Sequence, residues 1–140
     1  MIEKELENFI LGKQIGSGIH RIVYECLWDE ALVVKVAIDD DARAVNLLEE
    51  KLWLEIAETP VAKWFTPVVG CSQAGKYLLE RRVEKLPKEQ YPKEIPHFFT
   101  DTKYSNFGWL KGKGFVCCDY GTFNIFKGLS TKMKSVEWWE

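Results

Sequence analysis

Lys111-Gly112-Lys113-Gly114 separates two short apolar runs, Asn106-Phe107-Gly108-Trp109-Leu110 and Phe115-Val116-Cys117-Cys118, and that arrangement turns the chain back on itself. The glycines supply the backbone freedom of a tight reversal, and the flanking runs supply two strands. The hairpin predicted from this pattern brings Asn106, ahead of its first strand, beside Asp119, just past its second. Two oxygen-bearing side chains meeting at one end of a hairpin make a sound Mg²⁺ site when nucleotide phosphates supply further ligands. Asp101 and Lys103 precede Asn106 by five and three residues, so a carboxylate and an ammonium join the same end.

A second bend lies upstream. Gly16-Ser17-Gly18 falls between a predicted strand over residues 9–14 and its return over 22–27, forming a hairpin whose bend is suited to cover phosphates. A turn at Trp28-Asp29-Glu30 leads to a third strand over 31–38, rich in β-branched residues, which carries Lys35. Asp39-Asp40-Asp41 then cap a helix over 42–58, where Ala44, Leu47, Leu48, Leu52 and Ile56 recur at helical intervals. Glu50 borders that stripe and is the expected partner of Lys35, with Glu49 as the competing register. Strands over 67–71 and 76–80 around a turn at 72–75 complete a five-stranded antiparallel sheet, so the expected class is α+β.

The order of these pieces resembles the protein kinase superfamily. Gly16, Gly18 and Val23 match the first two glycines and the valine of G-x-G-x-x-G-x-V, with Arg21 at the third glycine position. Lys35 matches the strand lysine. Asp101, Lys103 and Asn106 match the catalytic loop as D-x-K-x-x-N, with Phe99-Thr100 in place of the usual His-Arg, and Asp119-Tyr120-Gly121 matches D-F-G with tyrosine for phenylalanine. The resemblance covers residues 10–121. It implies an ATP- and Mg²⁺-dependent phosphotransferase acting on a protein Ser/Thr hydroxyl. Lys35 would hold the phosphates, oriented by Glu50. Asp101 would receive or direct the acceptor's proton, with Lys103 near the transferred group. Asp119 would bind the metal, and Asn106 a metal ion or water. The main chain of Glu80, Arg81 and Arg82 would meet an adenine, and Leu79 would guard the back of its pocket.

The resemblance also implies a single minimal domain, with 1–83 forming a kinase-like N-lobe and hinge and 84–140 a severely reduced C-lobe. Residues 122–140 cannot build a conventional helical lobe, and Pro87, Pro92 and Pro96 interrupt any long helix before Asp101. Either a partner protein completes the substrate platform or the acceptor is small. The alternative is a catalytically weak or inactive kinase-like module that binds and regulates a partner. On their own, Asp101 also reads as a loop cap, Lys103 as a surface lysine, and Asn106 and Asp119 as turn formers.

A net charge of -2 steers nothing toward nucleic acid or an anionic membrane. Cys26, Cys71, Cys117 and Cys118 contain no C-x-x-C pair, and only His20 and His97 accompany them, so buried thiols are expected rather than a zinc cluster or a disulfide framework. The charged start, Met1 to Glu7, does not read as a secretion signal, and no apolar run approaches the ~20 residues that cross a bilayer. A cytoplasmic address is expected. Asn124 to Phe126 are expected to extend the core. Val136, Trp138 and Trp139 are expected to dock on the chain itself or, alternatively, on a partner.

Overall fold

The computed structural model describes residues 2–122 and 132–140. Along the chain come α1 (Ile2–Ile10), β1 (Leu11–Ser17), β2 (Arg21–Cys26), β3 (Leu32–Ala37), α2 (Asp40–Ile56), β4 (Val68–Cys71), β5 (Tyr77–Arg81), β6 (Glu94–Pro96), β7 (Phe107–Leu110), β8 (Gly114–Cys117) and β9 (Met133–Ser135). The first five strands form one antiparallel sheet in the order β1-β2-β3-β5-β4. With α2 this is the expected α+β, N-lobe-like unit, followed by the β7-β8 hairpin. No helix among the described residues is long and apolar enough to cross a membrane.

One expected element is different. Residues 9 and 10, assigned to the first strand by their apolar character, instead end α1, and β1 begins at Leu11. Leu6, Phe9 and Ile10 fall at helical intervals among charged helix formers, a period that outweighs the short apolar run. The helix is tied to the sheet by Tyr77, whose hydroxyl donates to Glu7 Oε1 at 2.6 Å, and by Lys76 at 3.4 Å from the same oxygen.

Asp39 caps α2 as its sequence suggests, its side chain accepting from the Ala42 amide at 2.8 Å. The buried face, however, is Ala42, Val45, Asn46, Glu49, Leu52 and Ile56, while Leu47 and Leu48 are exposed. The expected stripe was thus rotated by about one residue, roughly 100° of helix. Two consecutive leucines drew the apolar reading away from a face that is built partly from polar groups.

Beyond the sheet, aromatic packing takes over. Phe65 meets Tyr120 edge to face at 5.0 Å, and Phe107 stacks on Phe115 at 5.2 Å. Trp138 packs against Tyr91, Phe107 and Phe115 and donates its indole N–H to the Pro92 carbonyl at 2.9 Å. The C-terminal segment therefore docks on its own chain through Trp138 and the β6-β9 pair, while Trp139 stays half exposed. The expected core extension at Asn124 to Phe126 lies outside the described residues. The core cluster joins Leu52, Ile56 and Leu78 of the first half to Phe99, Phe107 and Tyr120 of the second.

Gly75 turns the β4-β5 connection at φ +82°, and a Cβ there would lie 2.5 Å from the Arg43 carbonyl oxygen. Its own carbonyl accepts from Asn46, so the turn seats α2. Gly75→Ala should cost about 2 kcal/mol or more in urea unfolding, from strain and overlap together. A loss under about 0.5 kcal/mol would show that the turn adapts freely.

Candidate functional site

The β2-β3 register sets Arg21 and Val23 of β2 on the same face as Lys35, and the β3-β5 register places Leu78 opposite Lys35. By the alternation of the pleat, Leu78 and Glu80 share that face. Leu79, expected to guard the pocket, pairs with Val34 and lies on the other face. Glu80 instead turns its carboxyl inward and is buried. Its expected contribution is mainly through the main chain. Along the expected hinge, the amides of Arg81 and Arg82 donate to the carbonyls of Pro67 and Ala31, and the Arg82 side chain pairs with Glu25 at 2.9 Å. Those two main-chain donors are therefore engaged inside the protein.

The partner of Lys35 is Glu49, one residue before the expected Glu50. Lys35 Nζ donates to Glu49 Oε2 at 2.7 Å, while Glu50 remains outside the contact. This correction follows from the rotated face of α2. Glu49 is completely buried, and its other oxygen, Oε1, accepts from Arg21 at 3.0 Å and from the amides of Tyr120 and Gly121 at 2.9 Å each. Such close approach requires glycine at 121, where a Cβ would lie 2.5 Å from the Val45 carbonyl oxygen.

Lys35 has three N–H donors, and the protein surrounds all three. One goes to Glu49 and one to the Cys118 carbonyl. The third faces Glu80, whose Oε1 lies 2.9 Å away but off the hydrogen-bonding direction, so that neither Glu80 oxygen has a hydrogen-bond partner among the described residues. Burial, followed by repulsion from Glu49, pushes the Glu80 carboxyl well above the ordinary carboxylate range, and Lys35 offsets only part of this. Burial acts on Glu49 in the same sense, but Lys35 and Arg21 override it and hold that carboxyl well below its ordinary range. Burial and Arg21 oppose the charge of Lys35, yet Glu49, Glu80 and Asp119 together hold its pKa raised. With Glu80 protonated, two cationic side chains, Arg21 and Lys35, stand in one cluster with two acidic ones, Glu49 and Asp119.

Arg21, which stands at the third glycine position of the pattern, is buried. Nη1 donates to Asn46 Oδ1 at 3.0 Å, and Nη2 donates to both Glu49 and Asp119. Asn46 in turn donates to the carbonyls of Lys35, Gly75 and Lys76. Neither Asn46 nor the Glu80 side chain was foreseen. Asn46 stands three residues before Glu49 on one helix face, the only signal in the sequence that could have found it.

At the outer end, the expected convergence is present. The Cys118 amide donates to the Asn106 carbonyl at 2.7 Å, and Asp101, Asn106 and Asp119 line one small cleft of about 60 Å³ with Phe99, Thr100 and Tyr120. Asp101 accepts from the Asn106 amide group at 3.2 Å and from the Lys103 backbone N–H at 3.2 Å. The Lys103 side chain points elsewhere, with its ammonium 3.5 Å from the Glu140 carboxylate and 5.6 Å from the centre of the Trp139 ring. All four cysteines are free: Cys26 and Cys117 are buried, Cys71 and Cys118 partly so.

Across the glycine bend the Gly18 amide donates to the Arg21 carbonyl at 2.8 Å. Gly18 has no positive φ, and a Cβ added there would meet nothing within 4 Å, so the chain itself gives no packing reason for glycine. The donor set does not suit a divalent cation as it stands. Asp119 is paired with Arg21, the Asn106 side chain is turned to Asp101, and no group of three or more His, Cys, Asp or Glu among the described residues could hold a metal ion.

No protein family profile and no curated protein matches the chain. Among solved structures, it is similar to APH(2'')-IIa in its complex with gentamicin, at 23% identity and a TM-score of 0.48 over 64% of this chain and 30% of that one. It is also similar to ADP-bound aminoglycoside phosphotransferase APH(2'')-Ib, at 23% identity and a TM-score of 0.48 over 64% of this chain and 31% of that one. The chain thus spans under a third of the length of the structures it matches.

The proton on Glu80 carries a pH signature. Because the folded chain holds it more tightly than the unfolded chain, this stabilisation is complete below the ordinary carboxylate pKa. It declines as pH rises toward the raised folded value, by up to about 1.4 kcal/mol per pH unit. Glu80→Gln should therefore raise Tm more at about pH 8 than at about pH 4, as measured by thermal unfolding. An equal shift at both would show Glu80 ionised in the fold.

Proposed function

We propose that this chain is a kinase-like module of weak or absent catalytic power that binds and regulates a partner protein. The observation that carries the reading is the enclosure of Lys35, whose ammonium is buried, donates to Glu49 and the Cys118 carbonyl, and has the Glu80 carboxyl 2.9 Å away on its remaining side. A lysine so enclosed meets a phosphate only if one of these groups moves aside. Catalysis by phosphoryl transfer depends on such groups being positioned for the transferring oxygens. Exposed Leu48, Leu54 and Val69 offer apolar area to a partner.

A second reading, ATP-dependent transfer to a protein Ser/Thr hydroxyl, is favoured by the shared cleft of Asp101, Asn106 and Asp119 and by the open space at Gly18. There Asp101 would orient the acceptor hydroxyl and take its proton. Glu49 would hold Lys35 toward the phosphates, and Gly16 and Gly18 would let the backbone approach them. ATP would supply the transferred phosphoryl group.

Two measurements separate the readings. Incubation with labelled ATP and Mg²⁺, with and without cell extract, should show no transfer above background. Lys35→Met should lower stability while changing affinity for ATP and adenosine by similar factors, within about threefold of each other in calorimetric titrations. A selective loss of ATP affinity, or labelled product that disappears in Asp101→Asn, would establish the enzyme instead.

A further inference from the structure

The charge pattern around Asp119 is separate from the enclosure of Lys35. In the glycine run, Arg21 is the departure from the kinase-like pattern, and its side chain is the one that reaches Asp119. We infer that the Arg21 guanidinium is a built-in cation standing in the place of a divalent metal at Asp119, so that this site takes up no divalent cation and any phosphate-bearing ligand there binds without one.

Three features make Arg21 a fixed counterion rather than a passing contact. First, its fork is held from both nitrogens: Nη1 donates to Asn46, and Nη2 donates to Glu49 as well as Asp119. Swinging it away would strand the fully buried Glu49 carboxylate and the Asn46 oxygen, both of which lack exposure to water. Second, the register fixes its origin, because Arg21 opens β2 directly opposite Ala37, two residues beyond Lys35 on the same face. Third, the planar fork serves three acceptors on two elements at once, which an ammonium on a flexible stem does less well. Asp119 itself is half exposed, so a cation arriving from solvent could reach it but would meet the guanidinium already there. Like charges at such separations repel strongly in a partly buried site.

The inference is tested with Mn²⁺ as a paramagnetic probe, following broadening of the Tyr120 and Gly121 amide resonances. In the wild type, Mn²⁺ should cause no broadening that depends on Asp119, so wild type and Asp119→Asn should give matching curves. Arg21→Gln keeps polar contacts to Asn46 and Glu49 while deleting the charge, and it should bind Mn²⁺ at least tenfold more tightly, a gain abolished by adding Asp119→Asn. Arg21→Lys keeps a cation and should resemble the wild type. Calorimetry with ADP should give a wild-type result that is unchanged between EDTA and excess Mg²⁺, and affinity that appears or rises tenfold only with Mg²⁺ overturns the inference. Asp119-dependent broadening in the wild type overturns the inference, as does a folded Arg21→Gln with no gain. Should Arg21→Gln fail to fold, the wild-type comparison alone decides. The inference rests on the weak-catalysis reading only for its context, and the two fail separately. Wild-type phosphate transfer without Asp119-dependent broadening would sink the reading and leave the inference standing, whereas broadening without transfer would do the reverse.

Discussion

Glu49 is the point through which the two halves of the molecule are joined. One oxygen takes Lys35 from the central strand, and the other takes Arg21 and the amides of Tyr120 and Gly121. A completely buried carboxylate is sustained only when its acceptor sites are met by charge or by hydrogen bonds, and here four donors from three regions of the chain do so. The position of α2 over the sheet, the depth of Arg21 and the path of residues 118–121 all follow from that requirement. Tyr120, locked on one side by its amide, places its ring against Phe65 and its hydroxyl on the Thr66 carbonyl, so the electrostatic centre and the aromatic core share one segment.

This dependence also explains what could be read in the sequence. Strands with β-branched runs, the glycine turns and the hairpin around residues 111–114 are written in local chemistry, and they lie where that chemistry places them. The face of α2 is written differently. Its inner side includes Asn46 and Glu49, polar residues that hydrophobic periodicity assigns outward, and adjacent Leu47 and Leu48 reinforced the wrong rotation. The displacement from Glu50 to Glu49 is therefore one error seen twice, in packing and in the ion pair. Leu79 and Glu80 repeat the lesson in a strand, because a single-residue change of parity exchanges an apolar wall for a buried carboxyl. Pairwise register across β3 and β5 decides that parity, and no property of either strand alone reveals it. The burial of Arg21 was hidden for the same reason: its partners stand 25, 28 and 98 residues away.

The site consequently has two ends of opposite character. The inner end is closed: Lys35, Arg21, Glu49 and Asp119 are held in one contact network beside the buried Glu80. The outer end is open, with Asp101, Asn106 and the exposed side of Asp119 at a small cleft and empty space beside Gly18. Phosphoryl transfer needs both ends at once, since a positioned acceptor is useless without a cation free to meet the transferring oxygens. Geometry that resembles an active site at its mouth and a salt-bridged core at its base is suited to holding a shape. In such an arrangement, a ligand entering from the mouth competes with internal ion pairs. Loosening those pairs would strip Lys35 or Arg21 from the fully buried Glu49 carboxylate, so entry at the mouth is opposed by the same contacts that seat α2 on the sheet.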